Sequence, residues 1–267
     1  MYCTSTLSPT NIQTKADFRK TPKLTLTNGL YLSRRQSHHL LWFEMKCMAE
    51  TSNIEKPVVN ATVGLHPLIV VDIVKSCCSE EFERPEINIT FNRIRKMIPR
   101  LIEFIDEYRR LGGKIIWIRS TPWREEYLPK NINRLYHENP YATFYTEHDV
   151  EESVEFYDGI SPHEPDEIFT KNTYSAFVDV DLQKLLRKNQ WDTYLLSGVF
   201  AEACVNATLI DGFTKGLFTI ILSDLVETMD DEEQQTHKTH LLTHQWPFMY
   251  GHVITSNEFL KKLTKKL

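Results

Sequence analysis

The chain has no apolar run approaching the roughly 18 residues that a membrane-spanning helix needs, and its mean hydropathy is −0.37. Glycine is scarce. Nine Gly and twelve Pro in 267 residues exclude a collagen-like or low-complexity chain, and no internal repeat is visible at a solenoid period. Its five cysteines, Cys3, Cys47, Cys77, Cys78 and Cys204, form no C-x-x-C pair, so zinc-ribbon and thioredoxin-type motifs are absent. An odd count without a secretory apolar segment points to a reducing, cytoplasmic compartment. Basic charge is also missing from most of the chain. Residues 1–49 carry seven Lys or Arg against two acids, which leaves 24 bases and 34 acids for the remainder. A body of that charge is unsuited to nucleic acid, whose phosphates demand clustered Lys and Arg.

What is present is a composition able to build one sizeable core: 41% hydrophobic and 25% charged residues. The expected division is an N-terminal extension, partly irregular, over residues 1–63, and one domain over 64–267. The extension holds eleven Ser or Thr within its first 49 residues, which suits an organelle transit peptide, yet it lacks a clear amphipathic repeat. An extension folding onto the body is the plainer expectation.

From about residue 64, short β-branched runs alternate with amphipathic stretches, the pattern of a three-layer α/β fold with a mainly parallel, roughly six-stranded sheet. Residues Pro67 to Val74 read as the first buried strand. A helix follows, because Ile94, Met97, Ile98, Leu101, Ile105 and Tyr108 recur at steps of three and four until Gly112 and Gly113 supply the stop. Further strands are expected at 114–119, 167–170, 193–199, 218–224 and 252–255, with helices at 182–188, 203–214 and 231–242. Between them, residues 120–167 contain five Pro and five Tyr without a sustained period, which predicts a functional excursion over the pocket.

Open parallel sheets bind ligands beyond the carboxyl ends of their strands, so polar residues there come first. Asp72 interrupts the apolar run, Lys171 follows the strand ending at Thr170, and Cys204 follows the one ending at Val199. All three converge on one edge. Asp72 must be matched by a cation, be protonated, or lie at a polar exit. A salt bridge to Lys171 is the bland reading; a general base beside a thiol is the catalytic one. For Cys204, a strand running through a tight turn into a helix start places the thiol near backbone N–H groups and a helix dipole, which favour thiolate. The plain alternative is a small buried hydrophobe. A thiol phosphatase is excluded, because the position six beyond Cys204 is Ile210 and no Arg clamps a phosphate.

These segments resemble the isochorismatase-like cysteine hydrolase superfamily, in its amidohydrolase branch. Asp72 matches the acid at the end of the family's first strand, and Lys171 precedes a matching Tyr174-Ser175-Ala176-Phe177. The third block runs from Gly198-Val199 to Cys204-Val205, with Thr208 closing it, and Ser223-Asp224 fits the following strand. The resemblance implies a hydrolase of non-peptide C–N bonds in small carboxamides or ureides, with Cys204 as nucleophile, Asp72 as base and Lys171 as the cation. It also implies an oxyanion hole from the N–H groups of Phe200 and Cys204, a cis Val199–Phe200 bond, self-association into a homo-oligomer and no cofactor.

Departures from the family pattern bear on substrate. The D-x-Q-x-x-F opening here reads Asp72 to Cys77 as DIVKSC, so the usual amide and aromatic are replaced, and Ala201 stands where many members have Thr. The D-x-H and second His that hold zinc in nicotinamidases are missing after the second strand, so no metal is expected. His237, His240 and His244 share a helix face and read as a solvated face rather than a chelate. Among the aromatics of the excursion, Trp123, Tyr127, Tyr136, Tyr141, Phe144 and Tyr145, only Trp123 is expected at the substrate. Two other readings stand beside the amidase: thiol-independent vinyl-ether hydrolysis, and a binding or scaffold protein that has lost turnover. The expected partner is a small molecule, not nucleic acid or membrane.

Overall fold

A computed structural model describes residues 63–138 and 150–267. The readings placed on 1–62, with Cys3 and Cys47, and those on Tyr141, Phe144 and Tyr145 lie outside the described residues. Six strands form one sheet in the order β3-β2-β1-β4-β5-β6: β1 Leu68–Val71, β2 Ile115–Ser120, β3 Glu167–Lys171, β4 Thr193–Gly198, β5 Phe218–Val226 and β6 Gly251–Ile254. Every pairing is parallel. The strand β1 lies between β2 and β4, where the chain's direction of travel across the sheet reverses.

Helices fill both faces. In chain order they are α1 Lys75–Cys78, α2 Asn92–Arg110, α3 Lys130–Glu138, α4 Val150–Ser153, α5 Val180–Lys188, α6 Asn206–Thr214, α7 Glu232–His240, α8 Trp246–Met249 and α9 Ser256–Thr264. Side chains alternate across each strand, so Leu68, Val70 and Trp117 pack with α2 and α9 on one side. Ile69, Val71, Ile116 and Ile118 pack with α5 and α6 on the other. No helix among the described residues is long and apolar enough to cross a membrane.

Two boundaries moved. The first strand stops at Val71, because Asp72 takes a left-handed backbone with φ 53° that turns the chain out of the sheet, and Asp is among the residues that tolerate it. The helix after β4 begins earlier than expected, as a π-helical turn over Ala201–Val205 that runs into α6. A second π-helical turn, Leu241–Gln245, continues α7 into α8. The last helix, α9, was not expected; its capping box of Thr255 and Glu258 was a legible start signal.

Gly198 ends β4 with φ 116° and sits so close to β1 that a Cβ there would meet the Val71 carbonyl oxygen at 2.1 Å. Only glycine fits both the backbone angle and the approach. Gly198→Ala is therefore expected to destabilise the domain by about 3 kcal/mol or more, read as a lowered urea midpoint; an unchanged midpoint would contradict this account of the β1–β4 contact.

Candidate active site

The exits of β1, β3 and β4 bring Asp72, Lys171 and Cys204 together, all buried. The Lys171 ammonium donates to Asp72 Oδ2 at 2.8 Å and to Cys204 Sγ at 3.3 Å. It also donates to Ser120 Oγ at 3.3 Å and to the Thr173 carbonyl at 3.2 Å. Three protons are thus shared among four acceptors. The other carboxylate oxygen, Asp72 Oδ1, is buried and completes no hydrogen bond, which leaves it open to a proton from the thiol.

Charges enclosed this way move each other's ionisation. Burial works against the Lys171 ammonium, but the Asp72 charge and the Cys204 sulfur outweigh it and hold the lysine above its ordinary value. For Cys204, burial pushes the thiol well above its ordinary 9.0; Lys171 offsets part of that, and the nearby Asp72 carboxylate adds to it. This corrects the expectation of a resting thiolate. Cys204 sits inside the π-helical turn with 8% of its surface exposed, so burial works against the thiolate that the helix-dipole argument favoured.

The motif residues around the triad hold the loops in place. Ser175 Oγ accepts the Phe177 N–H at 3.1 Å and caps the short turn after β3, while Thr208 Oγ1 on α6 accepts the Ala176 N–H at 3.0 Å. The Y-S-A-F block and the threonine that follows the cysteine block therefore interlock. The Val199–Phe200 peptide is cis. Behind it, Glu227 is stitched to the same turn: its N–H donates to the Gly198 carbonyl at 3.2 Å and its carbonyl accepts the Ala201 N–H at 3.0 Å. The Phe200 ring packs against Phe91. Asp224 is not in the site; its carboxylate accepts the Ser256 N–H and hydroxyl, both at 2.7 Å, and caps α9.

Two wall residues were not assigned from sequence. The Cys77 thiol, in α1, is pushed up by burial and then by the Asp72 charge, and it also feels Lys171, so it borders the triad where the family pattern has an aromatic. Tyr136, on α3, is raised by burial, then by Tyr174, then by Cys204 and Cys77. Trp123 reaches the site through Tyr136, whose ring it meets edge-on at 4.5 Å. The available signals were the spacing of Cys77 from Asp72 and the lone apolar face of α3. His240 and His244 stack with ring centroids 5.2 Å apart, and among the described residues no group of three His, Cys, Asp or Glu is placed to hold a metal.

With fold and geometry in hand, the isochorismatase domain family is found to match residues 67–258. The chain belongs to that family. It is 26% identical over 170 residues to a ureidoacrylate amidohydrolase of Klebsiella pneumoniae, a match covering 59% of this chain and 71% of that one. It is 24% identical over 152 residues to a maleamate amidohydrolase of Pseudomonas putida, covering 57% and 59%. The fold matches the crystal structure of a cysteine hydrolase from Pseudomonas syringae pv. phaseolicola with TM-score 0.66 and 21% identity, over 80% of this chain and all of that one.

Removing one partner of a buried ion pair strands the other charge, at about 3–5 kcal/mol. Lys171→Met is expected to lower stability by that amount in urea unfolding, and adding Asp72→Asn should restore part of it. Additive losses in the double variant would contradict the pairing.

Proposed function

We propose that this member of the isochorismatase domain family is a cysteine-dependent amidohydrolase, cleaving the C–N bond of a small carboxamide or ureide through a thioester. The observation that carries this reading is the buried thiol and carboxylate sharing one ammonium, with Asp72 Oδ1 unoccupied by any hydrogen bond. A lone buried cysteine would need no such neighbours.

In this mechanism Asp72 takes the Cys204 proton as the sulfur attacks the carbonyl carbon, so the thiol ionises only in the act of attack. The S–C bond forms and the carbonyl oxygen becomes an oxyanion, to which the N–H groups of Phe200 and Cys204 donate hydrogen bonds. Asp72 then returns its proton to the leaving nitrogen, the C–N bond breaks, and ammonia or an amine departs. Water, deprotonated by Asp72, attacks the thioester; the S–C bond breaks and the thiol is restored with release of a carboxylic or carbamic acid. Lys171 stays charged throughout. It holds Asp72 in place and lowers the energy of the thiolate as it forms.

The relatives support the C–N assignment, since the names they carry are those of amidohydrolases. Vinyl-ether hydrolysis without a thiol gives no role to the Lys171 contact with sulfur. A scaffold reading gives none to the intact triad.

The test is ammonia release from a panel of small carboxamides and ureides. Cys204→Ala is expected to lower the rate on any accepted amide by about 10³-fold or more, and a variant that retains full activity would overturn the proposal.

A further inference from the structure

The connection between β2 and β3 carries an excess of acids. Residues 120–167 carry twelve Asp or Glu against three Lys or Arg, an excess of nine acids in a chain whose net charge is −5. Two described parts of this excursion are stitched to the rim of the site. Residues 121–128 are held where the Thr121 N–H donates to the Lys171 carbonyl at 2.8 Å and Asn172 Nδ2 donates to the Tyr127 carbonyl at 3.2 Å. Residues 150–157 are held where the Lys75 N–H donates to the Glu155 carbonyl at 2.9 Å and the Tyr157 N–H to the Ile73 carbonyl at 3.1 Å.

These two parts bring Glu125, Glu126, Glu151, Glu152 and Glu155 to the rim of the triad. Their counter-charges are few. Lys75 pairs with Glu152 at 2.5 Å and Glu155 at 3.0 Å, and Arg124 pairs with Glu151 at 3.2 Å. Arg119 lies over the Phe156 ring, 5.8 Å from its centroid. Glu125 and Glu126 are exposed and stand unmatched by any of these cations. Inside the pocket Lys171 is already balanced by Asp72, so that ammonium is not left over for a substrate carboxylate. Aromatic side chains stand on the described part of the excursion beside the site, where Trp123 meets Tyr136 edge-on with ring centroids 4.5 Å apart.

From this we infer that the site selects a carboxamide or ureide whose organic part bears a positive charge. It differs in this from the relatives, whose named substrates, ureidoacrylate and maleamate, are carboxylates. Aromatic faces attract cations, and an acidic rim raises their local concentration while repelling anions, an effect that salt screens. The inference rests on the amidohydrolase reading, because it concerns what approaches Cys204.

Charged thiol reagents test it without a known substrate. The full chain with Cys77→Ser is treated with three methanethiosulfonates, the cationic 2-(trimethylammonio)ethyl, the neutral methyl and the anionic 2-sulfonatoethyl compounds. Each would form a disulfide with Cys204 and release methanesulfinate. Rates at Cys204, followed by peptide mass and divided by each reagent's rate with 2-mercaptoethanol, are expected to favour the cation over the anion by about tenfold or more at low salt. The gap should shrink severalfold near ~0.5 M salt, and also in the double variant Glu125→Gln, Glu126→Gln. Equal corrected rates, or a faster anion, would overturn the charge inference and leave the nucleophile intact. If none of the three modifies Cys204 while the unfolded chain is fully modified, the nucleophile reading falls, and this inference with it.

Discussion

One buried ammonium, bonded at once to a carboxylate and to a sulfur, is the constraint around which the rest of the site is arranged. Taking an unpaired charge out of water costs several kcal/mol, so Asp72 and Lys171 are tolerable inside only as a pair. The pair has no net charge, and the thiol beside it stays neutral because a thiolate would add an unmatched negative charge. On the proposed mechanism the thiol gives up its proton to Asp72 only as its sulfur attacks an electrophile.

Strand order explains why the cation is a lysine. The strand β3, which carries Lys171, is separated from β1 and Asp72 by β2, and neighbouring strands lie about 4.8 Å apart. A short side chain on β3 would not reach the carboxylate. The four-carbon stem of lysine crosses that gap, and Ser120, at the end of the intervening β2, accepts from its ammonium on the way. The described parts of the excursion between β2 and β3, residues 121–128 and 150–157, are hydrogen-bonded to the same edge.

Much of this was legible in the amino-acid pattern, for reasons that differ by element. The four inner strands read clearly because each holds a short apolar run that is largely buried, whereas the edge strands β3 and β6 are more exposed; α2 read clearly because its apolar stripe is sustained over Asn92–Arg110. Asp72 was found because charge inside an apolar run is costly and so marks a function or a partner, and Lys171 because it follows a strand end. Three things were hidden. The start of the helix at Ala201 was obscured because a π-helical turn has no distinct sequence period. Tyr136 joins the site through tertiary packing that no local spacing encodes, and Cys77 was signalled only by its spacing from Asp72. The protonation of Cys204 depends on how deeply the turn is buried, and the helix-dipole argument made from sequence took no account of that.

The most direct test is a titration of the thiol by the ultraviolet absorbance of its thiolate, taken as the difference between the protein and its Cys204→Ala variant. If the shared ammonium and burial act as described, thiolate is absent at neutral pH and emerges only above the ordinary thiol value of 9.0, moving higher still in Lys171→Met. A thiolate already formed near pH 6, or a titration indifferent to Lys171, would contradict the account.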